Sequence, residues 1–317
     1  MDNRGWELSI NTQPIKTKTF SLDFNFTFAR SENQIISISE NVPLISIPTA
    51  GNGNYLTAVE VGTPYGSFYG YKSDGVYLNQ SQTIAKDLNG KPIYTYDANG
   101  TKQTVQMKYW YPSIGYEFKP GDAKYVDINH DGNINAQDIV YLGNMNPLLT
   151  GGFGPTLRWK NSFSLTAYFY YRYGGKVINQ TRMDMESMYG YNNQSTSVLR
   201  RWTHSYDVES TAPANLLPRA LYGQGYNWLG SDRYVEDGSF LRFKSLTLTY
   251  NFDKVVVRKF GLSDLRIWGT MQNIYLWTNY TGMDPEITLR SGITDLGKDT
   301  SRSGRPSDYS LGFTVSF

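Results

Sequence analysis

The stretch Thr19-Phe-Ser-Leu-Asp-Phe-Asn-Phe-Thr-Phe28 decides how the rest of the chain is read. Phe20, Leu22, Phe24, Phe26 and Phe28 fall at every second position, with Thr19, Ser21, Asp23, Asn25 and Thr27 between them. Successive side chains of an extended strand point to opposite faces, so this period of two makes one face apolar and the other polar. The pattern recurs at Phe163, Leu165, Ala167, Phe169 and Tyr171, opposed by Ser162, Ser164 and Thr166. It also ends the chain, where Tyr309, Leu311, Phe313, Val315 and Phe317 alternate with Ser310, Gly312, Thr314 and Ser316.

Four further stretches follow the pattern less cleanly. Trp6, Leu8 and Ile10 share a face, as do Phe153, Leu157 and Trp159. Over 239–252, Leu246, Leu248, Tyr250 and Phe252 align, but Leu241 and Phe243 have the opposite parity. A β-bulge near Lys244–Ser245 restores the phase. Residues 265–278 read as a strand of open phase, with Leu265, Ile267 and Met271 on one face and Ile274 and Leu276 on the other. The connections are short at Gln13–Thr17 and Lys160–Asn161, moderate at Asp253–Asp264, and long over 31–150, 174–238 and 279–306.

About seven strands, with short turns at one end and long loops at the other, give an all-β reading: the C-terminal part of a transmembrane antiparallel β-barrel with long extracellular loops. Connections in compact soluble domains are mostly only a few residues long. Seven strands leave open edges, which hydrocarbon does not tolerate, so further strands are expected from upstream in the polypeptide or from a partner.

Composition agrees. The chain has 317 residues, 26 Tyr, 15 Phe and 30 Gly, yet only 18% charged residues. Its 30 Lys+Arg nearly balance 28 Asp+Glu, which gives no basis for a nucleic-acid partner. With no cysteine there is neither a disulfide framework nor a thiolate metal site. Mean hydropathy is −0.47, and no run approaches the roughly 20 apolar residues of a membrane helix. A barrel strand meets lipid only at alternate residues, so a low average is expected of it. Met1-Asp-Asn-Arg-Gly-Trp offers no apolar signal-peptide core, so an exported protein is expected to begin upstream of it.

The sharpest local motif is Asp127-Ile-Asn129-His-Asp131-Gly132-Asn133-Ile-Asn135-Ala-Gln-Asp138. Asp127, Asn129, Asp131 and Asn135 stand at the oxygen-ligand positions of an EF-hand-type calcium loop. Asn133 stands where a backbone carbonyl binds, and Gly132 at the sharp turn. The closing residue Asp138 replaces the usual Glu, as in dockerin-type loops, which points to structural calcium. The alternative is an Asx-rich turn without metal. Enzyme signatures are absent: His130 and His204 are the only histidines, and there is no Gly-x-Ser-x-Gly elbow or Walker loop. Glu236 and Asp237 read as solvated loop-end charges and not as a catalytic dyad. Trp110, Tyr111, Trp202 and Trp228 are candidate substrate-stacking residues, although interface belts or loop packing explain them equally well.

Several segments resemble the SusC/RagA family of TonB-linked outer-membrane proteins of Bacteroidota. These include Met1-Asp-Asn-Arg-Gly-Trp-Glu-Leu, Gly66-Ser-Phe-Tyr-Gly-Tyr, Gly75-Val-Tyr and Pro120-Gly-Asp-Ala-Lys-Tyr-Val-Asp leading into the calcium-like loop. They continue with Tyr141-Leu-Gly-Asn-Met-Asn-Pro, Tyr234-Val-Glu-Asp-Gly-Ser-Phe-Leu-Arg-Phe-Lys-Ser-Leu, Gln272-Asn and Tyr280-Thr-Gly-Met-Asp-Pro-Glu. The segments run in order along nearly the whole chain. A last strand ending in Phe317 resembles the signature read by the barrel-assembly machinery. The resemblance implies that 1–317 is the C-terminal segment of a plugged barrel of about 22 strands in a Gram-negative outer membrane. It implies import of oligosaccharides or peptides, energy from TonB through a missing N-terminal region, and a SusD-like surface lipoprotein as partner. TonB box and plug have no counterpart in these residues. The alternative from the residues alone is a soluble all-β carbohydrate-binding module with a dockerin-like calcium loop.

Overall fold

The computed structural model describes residues 1–38, 52–57, 60–111, 114–160, 162–206, 211–213, 215–286, 297–301 and 303–317. Seven long strands form one antiparallel sheet: β1 (Asp2–Lys16), β2 (Phe20–Gln34), β3 (Leu149–Trp159), β4 (Phe163–Tyr173), β5 (Phe240–Asn251), β6 (Asp264–Thr278) and β7 (Asp308–Ser316). They pair in chain order, so the sheet is a meander. The shortest has 9 residues and the longest 15, enough for a tilted strand to cross a bilayer.

The register turns the sequence alternation into two continuous surfaces. Ile10, Phe26, Phe153, Phe169, Phe243 and Tyr275 lie opposite one another across six strands. Within that row Phe169 stacks on Phe153 at 5.0 Å and on Phe243 at 4.5 Å. A parallel row joins Ile15, Leu22, Leu157, Leu165, Leu248 and, beyond Gly269, Leu311. Large side chains on this face stay exposed, up to 82% at Leu311 and 75% at Phe313. A soluble monomer rarely leaves a contiguous apolar patch of more than a few hundred Å² uncovered. The soluble-module alternative therefore lacks what it needs, since no described segment covers this face. The other face is polar: Asp23, Thr156, Thr166, Thr247, Thr270 and Ser310 form one row. Hydroxyl pairs tie it together at 3.2 Å (Thr156–Thr166) and 2.9 Å (Thr247–Thr270), and Arg158 pairs with Asp23.

The expected bulge lies at Lys244, between Phe243 opposite Phe169 and Ser245 opposite Tyr168. On β6 two residues, Asn273 and Ile274, are inserted between Gln272 and Tyr275, and Asn273 turns to φ 50°. Two extra residues preserve parity. Leu265, Ile267, Met271, Tyr275 and Trp277 therefore share the apolar face, while Leu276 opposes Arg242 on the polar one. This settles the phase that the sequence leaves open. One boundary differs from expectation: Gln13 and Pro14 are not a turn but a bulge within β1, between Thr12 opposite Phe24 and Ile15 opposite Leu22. A proline cannot donate to the ladder, and a bulge accommodates it. The turn itself is tighter, with Thr17 N–H donating to the Phe20 carbonyl at 2.8 Å. The Lys160–Asn161 turn includes Asn161, which lies outside the described residues.

The long connections fold. Ser67–Gly70 pairs between Leu56–Thr57 and Val140–Asn144. Lys108–Tyr111 pairs between Ile114–Glu117 and Asn133–Ile134, and Lys176–Asn179 between Val235–Asp237 and Lys298–Asp299. A short helix, α1 (Gln180–Glu186), follows Asn179. Nearly all buried apolar side chains belong to this layer. Tyr71, Tyr77, Tyr109, Phe118, Ile134 and Leu229 make one cluster, and Tyr55, Phe68, Ile178, Met183 and Tyr234 another. The layer seats on the loop end of the polar face, where Arg172, Phe240 and Arg242 are buried. No described helix is long and apolar enough to cross a membrane, which has no bearing on crossing by strands.

Phe169→Arg places a charge in the middle of the apolar row and should cost ~2–4 kcal/mol if that row meets mid-bilayer lipid. Thr166→Arg, on the polar face of the same strand, should cost little. Outer-membrane levels of the two variants check this, and equal levels would contradict the assignment of faces.

Candidate functional site

The loop layer is fastened to the sheet by a buried charge cluster. Arg242 of β5 meets Asp284 at 2.7 Å, with the two side chains 4% and 2% exposed. Its Nε stands 3.1 Å from a Glu286 oxygen, an ion-pair distance without hydrogen-bond alignment, and Arg305 holds Glu286 from the other side at 2.9 Å. Asp284 also accepts the Glu286 N–H at 2.9 Å. The segments Leu241-Arg242 and Asp284-Pro-Glu286 thus close on each other, and each charge is affordable only because the others are present.

A second cluster corrects the reading of Glu236 as a solvated charge. Its Oε1 accepts from Asn179 Nδ2 (3.0 Å), Thr281 Oγ1 (2.7 Å) and Arg182 Nη1 (3.2 Å), and its Oε2 accepts the Thr281 N–H (2.8 Å). It joins α1, Val235–Asp237 and the segment after β6. Asp237 Oδ1 accepts from Ser239 N–H and hydroxyl. Arg182 is shared with Glu186 at 3.2 Å.

Two clefts open on either side of Arg182 and Arg200. One, about 600 Å³, carries Lys124, Arg233, Asp74 and Asp232 besides those two, with Val76, Leu78 and Leu216 among its walls. The other, about 650 Å³, is lined by Glu186, Asp299, Thr281, Ser301, Met185 and Met283. These clefts were not legible in the sequence, because each assembles residues from at least four separate segments.

The four candidate stacking residues fall into different packing groups. Trp202 packs on the Val76–Leu78–Leu216 cluster, and its indole N–H donates to the Leu78 carbonyl at 3.3 Å. Trp228 lies against Tyr189 and over Gly53, whose φ of 75° a glycine adopts without strain. Tyr111 packs against the large tyrosine cluster. Trp110 alone of the four is exposed, with the Lys108 ammonium 5.1 Å above its ring.

The calcium-like loop is knitted by its own side chains. Asp127 accepts the Gly132 N–H at 2.8 Å, Asp131 that of Asn133 at 2.7 Å, and Asn135 that of Gln137 at 2.7 Å. The Asn129 oxygen accepts the Asp131 N–H at 3.2 Å. Asp138 is buried and accepts the N–H groups of Ile128 (2.8 Å) and Asn135 (2.9 Å). Burial pushes its carboxyl above the usual range, those two donors pull it down, and nearby Asp127 and Asp131 push it up further. Among the described residues no three Asp, Glu or His side chains form a ready cage. The carboxylate oxygens of Asp127 and Asp138 and the Asp131 Oδ2 each accept one hydrogen bond and keep a second lone pair, so an oxygen-seeking cation is compatible with these donors.

No family model matches the chain. Two TonB-dependent receptors of Formosa agariphila align with all of it at 26% and 28% identity, each over 29% of its own length. The TonB-dependent receptor SusC of Bacteroides thetaiotaomicron aligns with all of it at 26% identity, over 26% of its length. The chain therefore spans less than a third of these relatives. Among solved structures, the RagAB peptide transporter superposes with a TM-score of 0.65 at 22% identity, covering 99% of this chain and 29% of that one. The 'open-open' RagAB peptide importer gives 0.63 at 20%, covering 99% and 28%. Fold and comparisons point to one class: over its whole length the chain is similar to strand-built TonB-dependent receptors. Within that class it resembles SusC in sequence and RagAB in fold.

Arg242→Ala should lower stability by ~3–5 kcal/mol, because it leaves Asp284 and Glu286 buried without their partner. Arg242→Met combined with Asp284→Leu should recover much of that loss. Thermal unfolding in detergent reads both, and an Arg242→Ala protein as stable as wild type would contradict the role given to the cluster.

Proposed function

We infer that this chain forms part of the wall and mouth of an outer-membrane importer of oligomeric nutrients, driven through TonB and working with a SusD-like surface lipoprotein. The observation that carries the reading is the two-faced sheet, apolar and exposed on one side and polar on the other, with a folded loop layer seated on its polar end. An apolar exterior suits lipid, and a polar interior suits a hydrated lumen. Names borne by relatives support import, since RagAB is called a peptide transporter and SusC a TonB-dependent receptor. Oligosaccharides and peptides are both admissible cargo. Deleting the gene should abolish growth on the cognate oligomer while growth on its monomer continues, and the lipoprotein should copurify with the tagged receptor. Unaltered growth on every oligomer tested would contradict import.

A structural calcium ion in the 127–138 loop belongs to the same proposal, held by Asp127, Asn129, Asp131, Asn135 and Asp138 with the Asn133 carbonyl. The spacing of the oxygens supports it, as does the gathering of three acids in one short loop. Asp127→Ala with Asp131→Ala should abolish calcium binding by calorimetry and raise protease sensitivity around residues 110–150. Unchanged binding heat in that double variant would rule the site out.

A further inference from the structure

The cleft that holds Lys124, Arg182, Arg200 and Arg233 carries more positive charge than its own carboxylates balance. Lys124 pairs with Asp74, and Arg182 with Glu186 and Glu236. Asp232 accepts the Ser73 N–H at 2.7 Å. Arg233 donates to the Leu216 carbonyl at 3.2 Å and has no carboxylate partner among the described residues. Arg200 is exposed and makes no ion pair with a described residue. Two guanidinium groups therefore face a cleft of about 600 Å³ without a carboxylate partner among the described residues. A guanidinium is a fork of donors matched to a carboxylate, and its weak hydration favours pairing inside a cleft.

The rest of the lining decides the kind of acid. Val76, Leu78, Ala212, Pro213, Leu216 and Leu217 contribute a smaller aliphatic part to a mainly polar surface. No aromatic ring lines this cleft or the one beyond Arg182 and Arg200 among the described residues, so a pyranose lacks a stacking platform there. A mainly polar cleft with a small aliphatic part, beside two guanidinium groups that lack a carboxylate partner among the described residues, suits a chain that alternates small apolar and carboxylate side chains.

We propose that this cleft selects acidic peptides, with Arg200 and Arg233 pairing with their carboxylates. The proposal rests on the importer reading above and names its cargo class. The test is calorimetry with the full-length protein in detergent, titrated with a short Glu/Ala peptide and with its Gln/Ala counterpart. Wild type should bind the Glu peptide about tenfold more tightly or better, as one or two charge-assisted contacts require. The Arg200→Gln, Arg233→Gln variant should bind both peptides alike. Equal affinities in wild type, or a preference that survives the double substitution, would overturn the proposal. So would an acidic oligosaccharide that binds more tightly than the Glu peptide. Uptake by a deletion strain is scored separately: a binding preference that disappears with the two arginines but brings no uptake defect leaves the cleft's selectivity standing and removes the importer reading.

Discussion

A sheet whose one face is almost wholly aliphatic and aromatic is stable only where that face meets hydrocarbon or is covered. The described chain supplies no cover, and side chains as large as Leu311, Phe313 and Tyr309 are left open. Much else follows from lipid on that side. Strands must run long enough to cross, neighbouring strands must satisfy one another's backbone groups, and the opposite face is free to be polar because it meets water. β1 and β7 each keep an edge unpaired among the described residues, and hydrocarbon requires those ladder groups to be matched. Relatives more than three times as long have the length to match them.

The same constraint explains where the core lies. Burying apolar groups drives folding only where water is the alternative, so strands facing lipid gain little from packing against each other. In this molecule the clusters around Tyr71, Tyr109 and Phe118 and around Phe68 and Met183 lie in the loop layer. Hydrogen-bonded charges fix that layer to the sheet. Arg242, Asp284, Glu286 and Arg305 join it to β5, while Glu236, Arg182 and Thr281 lock its parts together. Such clusters hold geometry more than they add net stability, which suits a mouth whose clefts must keep their shape.

Features written into local alternation were legible in the sequence. The strands followed from parity, and the bulge at Lys244 from one break in it. The break in β6 was harder, because an insertion of two residues leaves parity intact and shows only as Ile274 and Leu276 out of place. Pro14 resembled a turn because proline is accommodated both in turns and at bulges. Glu236 was misread because its burial depends on Thr281 and Arg182, which lie 45 and 54 residues away. Long-range packing also places the candidate aromatics: Trp202, Trp228 and Tyr111 pack within the loop layer, while the clefts are lined by arginines that no local motif marks.

These 317 residues contain no cysteine, so a single thiol introduced here, in a full-length protein cleared of any other cysteine, is a clean reporter of what each face of the sheet meets. Leu248→Cys and Thr247→Cys, adjacent on β5 and pointing to opposite faces, would each carry the same fluorophore in the full-length protein reconstituted into vesicles of brominated lipid. The account predicts strong quenching by the brominated chains at position 248 and almost none at 247, which should instead respond to a water-soluble quencher. Equal quenching at the two positions, or the reverse order, would contradict the claim that the alternating apolar face is the membrane surface.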